Sequence, residues 1–326
     1  MAWDVVKDPT IRAVATQIAQ KCGGLLVLVV TVASALRNRS TLHAWKYALR
    51  CLKRFDKERL TEKVHSTLEW SYYQLHDEEL KPLFLLCGIT RRNYIFPGDL
   101  LKYTMGLGLF KNVNTLEEAR NALHSLVEKL KDSCMLLDGF DNTCVRMHDL
   151  VRDVIVISIA FRDQRILSIA YGDELKERPN IDFIKNYPLI SFPSCNIPTL
   201  PEALECGELK MFFLWSNDDS LEILYKFFEQ MKNLEVLDLN NLCIPSLPPS
   251  LQFLTNLQTL CLDLCMLGDI ALLVQLRNLE ILSLLESQVK QQPEGIGQLS
   301  RLRLLNLSSF SEIEVISPNV ISSLKD

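Results

Sequence analysis

The first half of the chain carries apolar residues at helical spacing. In DPTIRAVATQIAQKCGG, the residues Ile11, Val14, Ala15, Ile18 and Ala19 fall on one face, and Gly23-Gly24 supply a stop. TEKVHSTLEWSYYQL repeats the period with Val64, Leu68, Ser71 and Leu75. DLLKYTMGLGLF predicts a helix with Asp99 as N-cap. NTLEEARNALHSLVEKL predicts another, opened by the capping box Thr115/Glu118 and striped by Ala119, Ala122, Leu123, Leu126 and Leu130. Next, CMLLDGFDNTCVRM places two β-prone runs around Gly139-Phe140-Asp141-Asn142, which is hairpin chemistry. HDLVRDVIVISIA returns to the helical period. Helices, a hairpin and a further helix predict a winged-helix-like arrangement.

The second half keeps a different period. The template L-x-x-L-x-L-x-x-N/C-x-L fits from Tyr187, Leu209, Leu234, Leu257, Leu279 and Leu302, at steps of 22, 25, 23, 22 and 23 residues. The Asn/Cys slot holds Cys195, Asn217, Leu242, Cys265 and Ser287. Six in-register copies within 20–29 residues predict a leucine-rich-repeat solenoid. Each x-L-x-L-x segment is expected as a short strand with its two apolar residues in a shared core. Strand period 2 turns the intervening residues toward the concave face. Those residues are Phe213 and Trp215, Asp238 and Asn240, Cys261 and Asp263, Ser283 and Leu285, Asn306 and Ser308. An exposed Phe and Trp side by side predict a docking surface, with Phe213, Trp215, Asp238, Asn240 and Asp263 as candidate contacts. The occupant is either a partner protein or the preceding part of this chain.

The expected architecture is multidomain, α plus α/β. Residues 1–60 are read as the end of a first helical domain, 61–165 as the winged-helix-like domain, 166–186 as a linker and 187–326 as repeats. The array stops within a repeat at NVISSLKD, which is read as truncation.

Charge is unevenly divided. Residues 1–164 carry 23 Lys and Arg against 19 Asp and Glu, and residues 165–326 carry 12 against 21. An acidic second half disfavours nucleic acid as a partner, as do the acidic hairpin residues Asp138 and Asp141 and a helix after the hairpin poor in Lys and Arg. The ten cysteines follow no secreted framework, and Cys261-x-x-x-Cys265 has neither a second pair nor a nearby histidine, so neither a disulfide scaffold nor a metal is expected. Histidines 43, 65, 76, 124 and 148 show no nucleophile or metal spacing, and no catalytic residue is expected.

The uncharged run Leu25 to Leu36 is shorter than a bilayer span. Read as a signal, with Ala33-Ser34-Ala35 as its cleavage site, it would make the chain a secreted repeat protein. That alternative would leave nine cysteines after Ala35, an odd number, and the preceding residues already carry a helical stripe. A cytoplasmic protein is the favoured expectation.

The segments DPTIRAVATQIAQKCGGLLVLVVTVASAL, LEWSYYQL, LFLLCGI, DLLKYTMGLGLF and VRMHDLVRDV occur in this order ahead of leucine-rich repeats. Together they resemble the back half of the NB-ARC module of plant intracellular disease-resistance proteins of the coiled-coil type. The resemblance implies a nucleotide-operated switch of innate immunity, held closed by ADP and opened by exchange for ATP. It implies that His148 of Met147-His148-Asp149 meets the β-phosphate of ADP, that Asp149 helps hold an inter-domain latch and that Met147 is a buried anchor. The stretch Gly24-Leu25-Leu26-Val27 aligns with the family's Gly-Leu-Pro-Leu motif, with Leu26 where the family's proline packs on adenine. The phosphate-binding G-x-x-x-x-G-K-[ST] loop does not occur in these 326 residues. The resemblance therefore implies a protein that acts by binding, with ADP or ATP held weakly and no ATP hydrolysis. Expected partners are an effector or guarded host protein and the chain's own repeats. The alternative is a complete ADP/ATP switch whose start lies outside this sequence.

Overall fold

Each expected repeat delivers its strand two residues after its first template position. In the computed structural model these strands are β4 (Leu189–Cys195), β5 (Met211–Ser216), β6 (Val236–Asn240), β8 (Thr259–Cys261), β10 (Ile281–Ser283) and β12 (Leu304–Asn306). They pair in parallel in a seven-stranded sheet of order β12-β10-β8-β6-β5-β4-β3. The seventh member, β3 (Ile166–Ser168), pairs Ile166 with Leu189. It lies at the head of the stretch expected as a linker, so the sheet starts one strand earlier than the repeat pattern indicates. The structure describes residues 7–22, 26–37, 39–54, 60–89, 94–159, 162–163, 165–168, 185–195, 200–218, 220–289 and 295–308.

Regular spacing makes one core. Phe212 and Leu214, Leu237 and Leu239, Leu260 and Leu262, and Leu282 and Leu284 stack inward from successive strands. Each coil buries its apolar pair only against its neighbours, which is why repeats stabilise one another. A second parallel sheet, β7 (Cys243–Ser246), β9 (Met266–Asp269) and β11 (Gln288–Val289), closes the coils on the return side. Between the two sheets the chain turns through Asn241, Leu264 and Glu286, all with φ near +55° to +60°.

The Asn/Cys slot behaves as its chemistry requires. Cys265 gives its thiol hydrogen to the Leu239 carbonyl at 3.2 Å, and the Ser287 hydroxyl donates to the Leu262 carbonyl at 2.5 Å. Where Leu242 fills the slot, the neighbouring Asn241 donates its amide to the Ser216 carbonyl instead, at 2.6 Å. At the opposite bend Asn233, Asn256 and Asn278 each bond a carbonyl of the coil before.

Two compact units divide the chain. The first comprises Met1–Gly88, Asn93–Pro97 and His124–Ile159; the second comprises Ile89–Arg92, Gly98–Leu123 and Ala160–Asp326. The cut differs from the domains read in the sequence, because residues 98–123 of the expected winged-helix stretch cluster with the repeats.

The first unit is helical. Helix α1 (Pro9–Lys21) is capped by Asp8, whose carboxylate accepts from Thr10 N at 2.8 Å, and it buries Ile11, Val14 and Ile18. The apolar run forms α2 (Leu26–Leu36), with Leu28, Thr31, Val32 and Leu36 buried. Helices α3 (Leu42–Arg54) and α4 (Leu60–Tyr73) pack on α1 and α2, respectively, and α5 (Leu80–Ile89) follows. Among the described residues, no helix is long and apolar enough to cross a membrane.

Helix α6 (Pro97–Gly106) begins two residues before Asp99, the expected cap. Proline's fixed φ suits the first helical position, and Asp99 instead sits in the first turn. The helix ends in a left-handed Gly108 (φ +57°), with Leu109 N bonding Thr104 O at 2.9 Å and Gly108 N bonding Met105 O at 3.0 Å. Helix α7 (Leu116–Asp132) opens on the expected capping box: Glu118 N donates to Thr115 Oγ1 at 3.2 Å, and Thr115 N to Glu118 Oε2 at 3.1 Å. The expected hairpin is β1 (Leu137–Asp138) paired with β2 (Val145–Arg146), and Ile95 bridges Val145 from the other side.

Candidate functional site

Two sets of residues were marked by sequence, and the structure treats them differently. The first set surrounds Met147-His148-Asp149 in the helical unit. Met147 is buried, as an apolar anchor should be, while His148 and Asp149 face solvent. Asp149 opens α8 (Asp149–Val151), which runs directly into a π-helical stretch, Arg152–Ile159. His148 is the N-cap. Its Nδ1 accepts the Leu150 N–H at 3.2 Å, satisfying one orphan donor of the helix start. An Nδ1 that accepts carries no proton, so the ring's N–H lies at Nε2 and leaves a donor on its other edge.

Arg152 reaches back over this turn. Its buried guanidinium bonds Asp149 Oδ1 at 3.2 Å, and Asp149 itself is exposed. Deeper in the π-helical turn, Val156 lies against Gly88, where an added Cβ would stand 2.4 Å from a Val156 methyl. Gly88 therefore lets α5 and the wide turn approach closely. Of the residues marked by resemblance near the helix α2 start, Gly24 and Leu25 lie outside the described residues. Leu26 is the first residue of α2, and its side chain is likewise outside them.

The second set lies on the concave sheet of the repeats. There the expectation of an exposed aromatic pair fails: Phe213 is fully buried, and Trp215 is half-buried. Asp238, Asn240 and Asp263 are also buried, with 1%, 3% and 5% of their surface exposed. Over Asp238 and Asp263 the cover is α6. Of the two occupants the sequence left open, the chain itself is the one seen there.

The seat is polar at its centre. Lys102 Nζ bonds Asp263 Oδ2 at 2.8 Å and Asp99 Oδ1 at 2.9 Å, and it approaches Ser283 Oγ at 3.3 Å. Tyr103 donates its hydroxyl hydrogen to Asp238 Oδ2, and Asn240 gives an amide hydrogen to the other oxygen, Oδ1. Asp263 Oδ1 accepts the Leu285 N–H at 2.9 Å. Thr259 donates to the Lys102 carbonyl at 3.1 Å, holding helix backbone to strand. Close approach needs Gly106, where a Cβ would stand 2.3 Å from Thr259 Oγ1 and 2.7 Å from a Val236 methyl. At the far edge Arg303 reaches the Asn114 carbonyl at 2.6 Å.

Electrostatics follow from this dryness. Burial, then repulsion from Asp263, pushes the Asp238 carboxyl up to about 7. Burial pulls Lys102 down, but the acidic groups around it win and hold its ammonium above the ordinary lysine range. The Cys261 thiol beside it is pushed far up by burial and stays neutral, so the counter-charges in contact with Lys102 are Asp99 and Asp263. Tyr103 is likewise raised by burial and by Asp238.

Lys102, Tyr103, Gly106 and Arg152 belong to the site without a motif that marks them in the sequence. The one signal available was indirect. Acidic residues at concave positions of two adjacent repeats need donors if covered, but nothing in the pattern says which segment brings them. Among the described residues, no group of three or more His, Cys, Asp or Glu side chains is placed to hold a metal ion, and nine cysteines are free thiols.

Parallel strands spaced by the leucine template, preceded by a helical unit, define a leucine-rich-repeat chain with a helical neighbour. Its relatives are specific. The disease resistance protein At4g27190 of Arabidopsis thaliana is 30% identical across 99% of this chain, which covers 34% of that protein. The disease resistance proteins RFL1 and RPS5 of the same plant are each 28% identical across 94% of this chain, covering 36% and 32% of their own lengths. No family model matches. A solved leucine-rich-repeat protein of Leptospira interrogans, LIC12759, aligns over 44% of this chain and 42% of its own, at 25% identity and a TM-score of 0.33. The chain is a relative of plant disease resistance proteins and spans about a third of their length.

Proposed function

We propose that this chain is the regulatory and recognition part of a plant disease-resistance protein, acting by binding in innate immunity. The observation that carries the reading is the seat of α6 on the concave repeat sheet. A segment expected to belong to the nucleotide-switch module occupies the surface on which a leucine-rich repeat usually receives a partner. Such a contact is autoinhibitory in kind: the concave face becomes available only when α6 leaves. In this reading α6, α7, the β1–β2 hairpin and α8 form the winged-helix-like part of an NB-ARC module. The partner is an effector or guarded host protein, and the place of action is the cytoplasm.

The nucleotide part rests on His148. Its Nδ1 already serves as a helix cap, and its Nε2–H provides the donor for a phosphate of ADP. Residues 24–26 would complete the adenine side. Hydrolysis is not proposed, because the phosphate-cradling loop with its lysine is not among these residues. A complete ADP/ATP switch, with that loop supplied by a longer parent, is the second reading, and the cap geometry at His148 is compatible with it. The buried face of α2 favours a folded helix over a secretory signal.

Leaf expression of the full-length parent carrying Lys102→Met and Tyr103→Phe tests the first reading. Constitutive defence signalling is expected. A silent, normally accumulated variant that still answers its trigger as wild type does would overturn it. Calorimetric titration of ADP into the same parent, with His148→Asn beside it, tests the second, because asparagine keeps a cap and removes the imidazole donor.

A further inference from the structure

The cluster beneath α6 holds more acid than base. Among the described residues, Lys102 is the ammonium paired with Asp99 and Asp263, and Asp238 lies beside them; Lys102, Asp238 and Asp263 are each at least nine-tenths buried. Among the described residues, the ionisable groups around Asp238 are Lys102, Tyr103 and Asp99 from α6, with Cys261 from β8 and Asp263 just after it; Asn240 from its own strand is neutral, and its pairing neighbour on β5, Phe213, is apolar. Lys102 is engaged with Asp263 and Asp99, and among the described residues the donors to the oxygens of Asp238 are the neutral Tyr103 and Asn240. A carboxylate left uncompensated in such a place is costly.

We propose that the contact between α6 and the concave sheet is a proton-held lock, in which Asp238 keeps a proton while α6 is seated and releases it to water when α6 lifts away. A phenol oxygen accepts as well as donates, so the Tyr103–Asp238 pair stays bonded with the proton on the carboxyl. The direction follows from linkage. Asp238 sits at about 7 when seated, against 3.8 when free. A raised acid contributes stability in full below its free value, loses it as pH climbs toward the seated value, and contributes nothing further above it. Lys102, held above its ordinary range, stays charged throughout that window, while Tyr103 and Cys261 stay neutral. The lock therefore tightens on acidification, loosens as pH rises toward neutrality and changes no further above it. The inference concerns the repeat unit's own packing and does not depend on the proposed function.

Amide hydrogen exchange on the intact chain across residues 98–106, between pH 5 and 8.5 and corrected for intrinsic rates, tests it. The opening equilibrium of α6 should rise by up to about tenfold per pH unit below neutrality and level off above it. Asp238→Asn, which removes the titration and keeps the shape, should give a flat, protected profile. A flat wild-type profile, or an unchanged slope in Asp238→Asn, overturns the proposal. Should Asp238→Asn fail to fold, Asp263→Asn answers the same question. Removing one like charge must move the midpoint to lower pH, and an unmoved midpoint overturns the lock.

Discussion

Tyr103 on α6 gives its hydroxyl hydrogen to Asp238 on β6, joining residues 135 apart in the chain. Both are buried, so neither finds water in place of the other. Tyr103→Phe should cost about 1–3 kcal/mol, the penalty for leaving a buried acceptor one donor short. Urea unfolding of the intact chain reads it. A loss confined to α6 protection in hydrogen exchange, with the repeat strands unchanged, would identify the bond as a seat contact rather than a core contact.

Lys102→Met keeps an unbranched side chain, one atom shorter, and removes the charge shared by Asp99 and Asp263. Breaking a buried pair from one side typically costs about 3–5 kcal/mol, because the remaining charge is stranded. The loss should be greater at pH 8 than at pH 5.5, since Lys102 is one of the groups that favour the ionised form of Asp238. Thermal melts at the two pH values are the measurement.

Gly106→Ala should displace α6 from the sheet. The new Cβ would fall 2.3 Å from Thr259 Oγ1, and the Thr259 bond to the Lys102 carbonyl would be strained with it. Overpacking of this kind costs about 1–3 kcal/mol. Gly98→Ala, at a glycine with open space around its Cβ position, is the control and should be close to neutral in the same denaturation assay.

Glu286 is exposed and holds a left-handed backbone, φ 55°, at the bend between β10 and β11. Asparagine occupies that conformation with less strain, as Asn241 does at the equivalent bend two coils earlier. Glu286→Asn should therefore stabilise the repeats by about 0.5–1 kcal/mol. A lowered urea midpoint would show that the glutamate does more there than turn the chain.

His148→Ala removes the acceptor for Leu150 N–H and should cost about 0.5–2 kcal/mol, whereas His148→Asn should recover most of it. Circular dichroism melts separate this capping role from any ligand role, since the cap is read without nucleotide. Equal losses in the two variants would mean the imidazole is needed for more than its Nδ1.

The sequence alone determined the parts whose physics is local or repetitive. A leucine pair recurring every 22 to 25 residues has one good burial, so the strand starts were legible in six coils, though not where each strand ends. The Thr115/Glu118 capping box and the β1–β2 hairpin were legible for the same reason, because their bonds close within a few residues. Strand β3, Ile166–Ser168, is not legible in the same way because Gln164 stands where the template asks for an apolar residue. The fate of the concave face belonged to the tertiary structure. Alternation said that Phe213, Asp238 and Asp263 point the same way, and it could not say what meets them. That depended on a helix more than a hundred residues earlier, whose lysine and tyrosine have no pattern of their own and become buried where two carboxylates of the repeats receive them.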